Sequence, residues 1–408
     1  MNTDWKKNII VFLASQTISL FGSSLVQYAI MWHITLSTQS GVMMTIAIIC
    51  GFMPTLFLSP FAGVWADRYN RKMLIMLSDS IIALSTLILA ILFLMGYDSL
   101  WMLFVASAIR ALGAAIQMPA IGAFLPQIVP EDKLTKVNAT NGSIQAMVML
   151  ASPMLSGALL TIATIEIIFF IDVITAAIAV SVLFLFLQVP VHAKALGKQT
   201  TSYFNDMHAG FTYIRHHEYI KRFFLFCAFF FFLAAPVAFL TPLQVVRSFG
   251  NQVWRLTAIE ITFSLGMMVG GIIMAAWGGF NNRIHSMTLA SILIGVCTFA
   301  LGVIPVFWIY LTIMGLVGIA MPIFNTPSMV LLQETVEGDF LGRVFGVLGM
   351  ISSTMMPLGM LLFGPLSDFI KIEWLLIGTG SLLFIQGFFL LGNKVLIEAG
   401  KPTSKPEL

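Results

Sequence analysis

Three ionisable side chains, Asp79, Arg110 and Asp172, lie deep inside apolar runs of the sequence. Arg110 is the only charged residue between positions 103 and 125. A charge at the centre of a bilayer costs about 2.5–3.5 kcal/mol on insertion scales, so such a residue faces a partner or a water-filled cavity. A carboxyl at this depth can bind and release a proton as its surroundings change. We assign proton coupling to these three residues, with hydrogen bonding between neighbouring helices as the structural alternative for the two acids.

Uncharged polar side chains recur at helical spacing in the same half of the chain. Steps of three and four residues place such side chains on one face of a helix. This face predicts a substrate cavity, although polar residues in membrane helices also join helices to each other, at about 0.6 kcal/mol per contact. The predicted cavity residues are Gln16, Ser19, Ser23, Gln27, Ser107 and Gln117, and a third stripe comprises Asn138, Asn141, Gln145, Ser152 and Ser156.

The composition indicates which elements must carry these residues. Hydrophobic residues make up 59% of the 408 residues and charged residues 10%, whereas soluble domains carry about 25% charge. A membrane crossing needs about 20 apolar residues. The sequence therefore predicts an all-α polytopic membrane protein with twelve transmembrane helices, near 9–35, 42–65, 73–95, 101–126, 139–162, 165–188, 223–246, 255–279, 286–304, 307–331, 344–367 and 374–396.

The basic residues predict the orientation of these spans in a plasma membrane. With a cytoplasmic N-terminus, the loops on the cytoplasmic side hold nearly all of the 21 Lys and Arg residues. Apart from Arg110, only Arg247, Arg255 and Lys371 fall on the opposite side. Cytoplasmic loops carry an excess of Lys and Arg, so we expect both termini in the cytoplasm. The tryptophans lie within a few residues of span ends, as expected at membrane interfaces.

One long connection divides the spans into two groups of six. We predict an N-terminal six-helix bundle at 1–188, a cytoplasmic linker at 189–222, a C-terminal six-helix bundle at 223–397 and a cytoplasmic tail at 398–408. Apolar residues at helical steps from Phe204 to Ile214 predict an amphipathic helix within the linker, over 203–220. Short matches between corresponding loops of the two halves indicate parallel repeats, a plan used by transporters that rock two halves around a central site.

The loop after the second span contains Gly63, Asp67, Arg68, Arg71 and Lys72. This pattern resembles the signature loop of the major facilitator superfamily. The resemblance implies two six-helix bundles in the major facilitator fold, with this loop as a cytoplasmic gate. A glycine permits close helix contact, so we expect Gly63 to lie against a neighbouring helix, and Asp67 to pair with a basic group or a helix end.

Further segments extend the resemblance over essentially the whole chain. Arg110 matches the conserved arginine of the family's fourth helix, and Pro153 with Gly157 resembles a degraded form of the antiporter pattern of the fifth. Within the superfamily, the sequence most resembles the macrolide efflux branch of the drug exporters. This implies alternating-access export of a lipophilic drug by proton antiport. The segments that carry this likeness are 66–72, Asp79, 129–136, 171–173 and 341–345.

Other functions were weighed against this interpretation. The chain contains no HExxH, GxSxG or GxxxxGK[ST] motif and no Cys or His cluster, so we expect no enzyme activity, no cofactor, no metal site and no nucleic-acid partner. We expect membrane lipid, protons and a lipophilic small molecule as partners, and an ATP-binding partner protein stays open. The alternatives are export of a tetracycline-type or siderophore-type amphiphile, import of a small metabolite, and a role as a receptor or scaffold.

The seventh span is rich in phenylalanine, with seven such residues between Phe223 and Phe232. They cover every side of a helix, so some must face lipid. We expect a few of the others to form an aromatic wall of the substrate cavity, opposite the polar one.

Overall fold

The computed structural model describes residues 5–187 and 212–401, without side-chain placement for Pro60, Asp67, Gly338 and Asp339. Within these ranges all regular structure is helical, and twelve segments are long and apolar enough to cross a membrane. The predicted all-α class and span number are therefore confirmed. The helices are α1 (Trp5–Thr38), α2 (Gly41–Arg68), α3 (Arg71–Leu94), α4 (Leu100–Ile128), α5 (Leu134–Ile162), α6 (Ile165–Phe186), α7 (Glu218–Phe239), α8 (Thr241–Phe249), α9 (Val253–Trp277), α10 (Arg283–Val303), α11 (Phe307–Thr335), α12 (Gly338–Phe369), α13 (Ile372–Gly392) and α14 (Lys394–Ala399).

The chain divides into two compact units. The first contains α1, most of α2, and α3 to α6, and the second contains residues 38–45 together with α7 to α14. Within the first unit α3 packs against α4 and α6, and within the second α10 packs against α11 and α13. These two pairs occupy corresponding positions in the two sequence halves.

Two asparagines show the repeat at single-residue level. The side chain of Asn70 accepts a hydrogen bond from the Met73 amide at the start of α3, and that of Asn282 accepts one from the Ile284 amide at the start of α10. Both residues have extended backbone geometry, so they act as N-caps, which satisfy amides that a helix start leaves unpaired.

The phenylalanines of α7 belong mainly to the core of the second unit. Phe223, Phe224, Phe226 and Phe230 are buried, and the Phe230 ring stacks on Phe324 with 4.3 Å between centroids. The expected aromatic wall of a cavity is therefore wrong for these four, because stacking within the unit already covers their surfaces. Among the described residues, Phe229 is the strongly exposed phenylalanine of this helix.

The end of the predicted linker also packs into the second unit. Tyr213 and Ile214 are buried and contact the same core as Ile220. The Tyr213 ring stacks on Phe340, with 4.4 Å between centroids. Positions 203–211 of the predicted amphipathic helix lie outside the described residues.

The start of α2 belongs to the second unit, which the domain prediction did not anticipate. The Asp368 carboxylate accepts hydrogen bonds from Ser40 Oγ (2.8 Å) and from the amides of Gly41 (2.7 Å) and Val42 (3.1 Å). Arg247 donates to Asp368 (2.7 Å) and to the Gln39 carbonyl. We call residues 38–45 with Arg247 and Asp368 the α2 clamp.

Small residues allow this close approach. A Cβ atom added at Gly364 would lie 1.7 Å from Thr45 Oγ1, and one added at Gly41 would lie 2.1 Å from the Gly364 carbonyl oxygen. Thr45 Oγ1 also donates to the Met360 carbonyl at 3.1 Å. The clamp thus combines backbone contact with charged hydrogen bonds.

We expect Asp368→Asn to loosen the α2 clamp. The amides of Gly41 and Val42 are the orphan donors of a helix start, and hydrogen bonds to a charged group contribute about twice as much as neutral ones. Hydrogen–deuterium exchange of the peptide covering 38–45 should become about tenfold faster, the change that about 1.4 kcal/mol produces. Asp98→Asn, at an exposed aspartate before α4, is the control. Equal exchange in both variants would contradict the role of Asp368.

Candidate functional site

Arg110 and Asp172 form a buried ion pair inside the first unit. Arg110 Nη1 lies 2.5 Å from Asp172 Oδ2, and the two side chains are 6% and 0% exposed. Thr86 Oγ1 donates to Asp172 Oδ2 at 2.9 Å, and Ser23 Oγ donates to its Oδ1 at 3.2 Å. Arg110 also contacts Thr86 Oγ1 and donates to the Ser23 carbonyl at 3.0 Å. Helices α1, α3, α4 and α6 meet at this pair.

Gly22 allows α6 to bring Asp172 this close to α1. A Cβ atom added at Gly22 would lie 2.0 Å from Thr175 Oγ1 and 3.1 Å from the Asp172 Cα atom. A larger side chain would push the two helices apart, because one of the atoms that it would meet is the backbone Cα atom of Asp172. Glycine at this position is therefore part of the ion-pair site.

Asp79 is held differently from Asp172. Its carboxylate accepts hydrogen bonds from Ser19 Oγ (2.5 Å), Gln117 Nε2 (2.7 Å) and Gln16 Nε2 (3.4 Å), and its side chain is 1% exposed. These three donors are neutral, and no cation of the described part of the chain bonds to Asp79. A buried charge without an ionic partner is expensive to maintain. The site thus holds one carboxyl paired with a cation and one that receives hydrogen bonds from neutral donors.

A cavity of about 380 Å³ adjoins Asp79 between α1, α4 and α5. Its polar lining consists of side-chain amides and hydroxyls, with aliphatic and methionine side chains around them, and no charged residue contributes. Gln16 and Gln117 belong both to this lining and to the Asp79 hydrogen bonds. The lining residues are Gln16, Thr17, Leu20, Ser24, Gln27, Tyr28, Gln117, Met118, Ile121, Asn141, Ile144, Gln145, Val148 and Met149.

The predicted cavity residues therefore separate into two groups. Gln16, Gln27 and Gln117 line the cavity, together with Asn141 and Gln145 of the third stripe. In the other group, Ser19 and Ser23 donate to the two carboxylates instead, and Ser107 is buried. The stripe is wider than the cavity, so its edge enters the helix interfaces.

Thr86 is a site residue that the sequence analysis missed. It follows Asp79 by two helical turns on α3 and donates to Asp172. A spacing of seven residues returns to the same helix face, so this position could have been found by extending the face of Asp79 along α3.

The antiporter-like segment lies in the interior of α5. Pro153 and Gly157 are buried, and α5 continues through Pro153. Between them, Ser156 Oγ donates to the Leu25 carbonyl of α1 at 3.1 Å. This segment therefore fixes α5 against the helix that carries Gln16 and Ser19.

The basic residues of the signature loop bind the ends of other helices in the first unit. Arg71 Nε donates at 2.9 Å to the Ala66 carbonyl in the last turn of α2, and Arg71 Nη1 donates at 2.8 Å to the Ala123 carbonyl, five residues before the end of α4. Lys72 Nζ donates to the Leu187 carbonyl at 2.7 Å, after α6. The last carbonyls of a helix lack partners and carry partial negative charge, so cations are favourable there.

The other members of this loop behave differently. Arg68 is exposed, and the side chain of Asp67 lies outside the described residues. A Cβ atom added at Gly63 would meet no described atom within 4 Å, so the described residues show no close helix contact at this position. Open space at Gly63 means that helix packing inside the first unit does not require glycine there.

The chain is similar to known transport proteins in sequence and in fold. Macrolide efflux protein A of Streptococcus pyogenes is 28% identical over 382 residues, which cover 93% of this chain and 94% of that protein. The Staphyloferrin A transporter of Staphylococcus aureus is 22% identical over 403 residues, 95% of this chain and 97% of that protein. A solved POT family transporter in complex with 5-aminolevulinic acid has a TM-score of 0.74 at 13% identity, covering 93% of this chain and 95% of that one.

Each of these likenesses extends over nearly the whole chain. The solved structure has the same fold, and at 13% identity the likeness concerns the fold alone. The sequence profile described as Major Facilitator Superfamily matches residues 9–360. The chain is a multi-pass membrane protein that belongs to the major facilitator superfamily of transporters.

Proposed function

We propose that the protein exports a lipophilic small molecule, a macrolide antibiotic first of all, by proton antiport with alternating access. The observation that carries this proposal is a buried carboxyl, Asp79, to which no cation of the described residues bonds, and two of whose hydrogen-bond donors, Gln16 and Gln117, also line a cavity. The similarity to Macrolide efflux protein A supports the substrate class.

The chemistry of the cavity supports a neutral, partly polar substrate. Small-molecule sites have volumes of about 300–1,000 Å³ and combine apolar walls with a few placed polar groups. The cavity between α1, α4 and α5 has this character, with amides such as Gln27 and Gln145 among apolar side chains. A macrolide offers apolar surface together with hydroxyl and carbonyl groups, which match such a lining.

The proposed energy source is the proton gradient. The sequence has no phosphate-binding loop, so direct ATP hydrolysis has no site in this chain. Asp79 takes up and releases the proton, whereas Asp172 is paired with Arg110. The proposed orientation places both termini and the loop around Arg71 in the cytoplasm, with membrane lipid around the spans.

A protonophore should therefore abolish export. In cells that carry the gene, we expect a labelled macrolide to accumulate to the level of cells without it once the gradient is dissipated, because no other coupling remains. Efflux is measured in sodium-free buffer with and without the protonophore, at equal protein expression. Export that persists under these conditions would contradict proton coupling.

A siderophore-type substrate is the second candidate, favoured by the similarity to the Staphyloferrin A transporter. The two candidates predict different phenotypes. A macrolide exporter raises resistance in a drug-susceptibility panel, whereas a siderophore exporter changes growth under iron limitation and leaves the panel unchanged. Testing one sensitive host with and without the gene under both conditions distinguishes them.

A further inference from the structure

We propose that the side-chain amides of Gln16 and Gln117 transmit the charge state of Asp79 to the adjacent cavity, so that proton uptake reverses the hydrogen-bonding character of the cavity wall. This inference rests on the proposed proton antiport and names the residues that couple proton to substrate. It also names the substrate feature that is recognised, a hydroxyl donor.

The first step is the arrangement around the ionised carboxylate. Gln117 Nε2 lies 2.7 Å from Asp79 Oδ1, and Gln16 Nε2 lies 3.4 Å from Oδ2. An ionised carboxylate only accepts hydrogen bonds, and each amide has two N–H donors and one carbonyl acceptor. Both amides therefore turn their N–H groups towards Asp79. Gln117 Nε2 is also 3.4 Å from Gln16 Oε1, which links the two amides.

The second step is the change that a proton causes. The proton binds one carboxylate oxygen of Asp79, which becomes an O–H donor, and no other bond forms or breaks. An O–H that faces an amide N–H leaves a buried donor unsatisfied, which costs about 1–3 kcal/mol. The amide that faces this oxygen therefore rotates to present its carbonyl. Ser19 needs no such rotation, because a hydroxyl can either donate or accept.

The third step is the effect on the cavity. Gln16 and Gln117 both line it. While Asp79 is ionised, the two N–H groups of Gln117 are directed at Asp79 and at Gln16 Oε1, and one N–H of Gln16 is directed at Asp79. Each amide carbonyl keeps at least one lone pair for a substrate hydroxyl. After protonation one carbonyl is withdrawn and N–H groups are offered in its place. A hydroxyl-rich lipophile therefore binds the ionised form better, and binding releases a proton.

The charged residues near Asp79 are paired with each other, so the proposed change in protonation concerns Asp79. The other charged side chains of the same buried region are Arg110 of α4 and Asp172 of α6, and these are paired with each other. The α1 residues that bond to Asp79, Gln16 and Ser19, are neutral. Proton uptake at Asp79 thus changes the amides without requiring a second titration.

The test measures binding of erythromycin, a hydroxyl-rich macrolide, to the purified full-length protein between pH 5.5 and 8.5. For the wild type we expect the dissociation constant to rise about tenfold on acidification, the effect of exchanging one or two hydrogen bonds. Binding should release a proton in the acidic range where the dissociation constant changes with pH, and none at the alkaline end, where Asp79 is already ionised. The double variant Gln16→Met/Gln117→Met should bind with a dissociation constant that varies less than about twofold with pH, and without proton release.

Gln145→Met is the matched control, because Gln145 lines the cavity and no hydrogen bond joins it to Asp79 in the described structure. It should weaken binding yet keep the pH dependence and the proton release. Thermal unfolding confirms that each variant is folded, and the two single variants replace the double one if it is not. A double variant that retains the wild-type pH dependence overturns the amide relay and leaves proton antiport standing. A wild type without proton release or without erythromycin binding overturns the proposed function itself.

Discussion

Arg110→Ala is expected to abolish uphill export and to destabilise the first unit, while the folded fraction binds drug within a few fold of the wild type. Arg110 contacts Asp172, Thr86 and Ser23 and is not among the residues that line the cavity. Removing one partner of a buried ion pair costs about 3–5 kcal/mol, because the other charge is left uncompensated. Arg110→Lys keeps the charge but loses the planar donor fork, so it should restore only part of the activity.

The double variant Arg110→Gln/Asp172→Asn separates stability from coupling. Both buried charges are removed together, so thermal unfolding should return towards the wild-type temperature while uphill export stays absent. Binding is measured by calorimetry on purified protein, and export in proteoliposomes with an imposed proton gradient. If this folded double variant fails to bind drug, Arg110 is a ligand residue. If it exports against a gradient, the ion pair is structural.

Asp79→Asn is expected to give the second large effect, a complete loss of uphill export with counterflow retained. An asparagine side chain cannot exchange a proton, yet it is nearly isosteric and can still hydrogen-bond to Ser19 and one glutamine. Exchange of labelled for unlabelled drug needs only alternating access, so it should continue and should no longer depend on pH. Both activities are measured in the same proteoliposomes.

Glu131→Gln, at an exposed acid between α4 and α5, is the control for this experiment and should behave as the wild type. Normal uphill export by Asp79→Asn would place the coupling proton elsewhere. Loss of counterflow together with export would show that Asp79 organises the fold or the cavity instead of carrying the proton.

The spans could be predicted because apolar length decides them. The predicted sixth span, 165–188, and the helix Ile165–Phe186 nearly coincide. The sequence predicts the fifth span at 139–162, whereas α5 begins at Leu134, because hydropathy marks the membrane segment and helices continue into polar regions. The seventh span is divided into α7 and α8 at Leu240, next to Pro242, a residue suited to the first turn of a new helix.

The three ionisable residues of the candidate site could be predicted from their positions inside apolar runs, but their hydrogen-bond and ion-pair partners could not. An acid or arginine inside an apolar run is visible in sequence, which identified Asp79, Arg110 and Asp172. That Arg110 bonds to Asp172 while Asp79 receives only neutral donors depends on how α3, α4 and α6 are rotated about their axes. The helix rotations are set by packing contacts such as those at Gly22, which no periodicity reveals.

Helix α2 is divided between the two units, and the α2 clamp holds its first turns in the second unit. Its first turns are held by Asp368 and Thr45 in the second unit, and the rest of the same continuous helix belongs to the first. Between its two ends lie Gly51, where an added Cβ atom would meet nothing within 4 Å, and Pro54, which has no N–H for a helical hydrogen bond. Proline removes a helical hydrogen bond, and no neighbour packs on Gly51, so this stretch is the part of α2 that bends most easily.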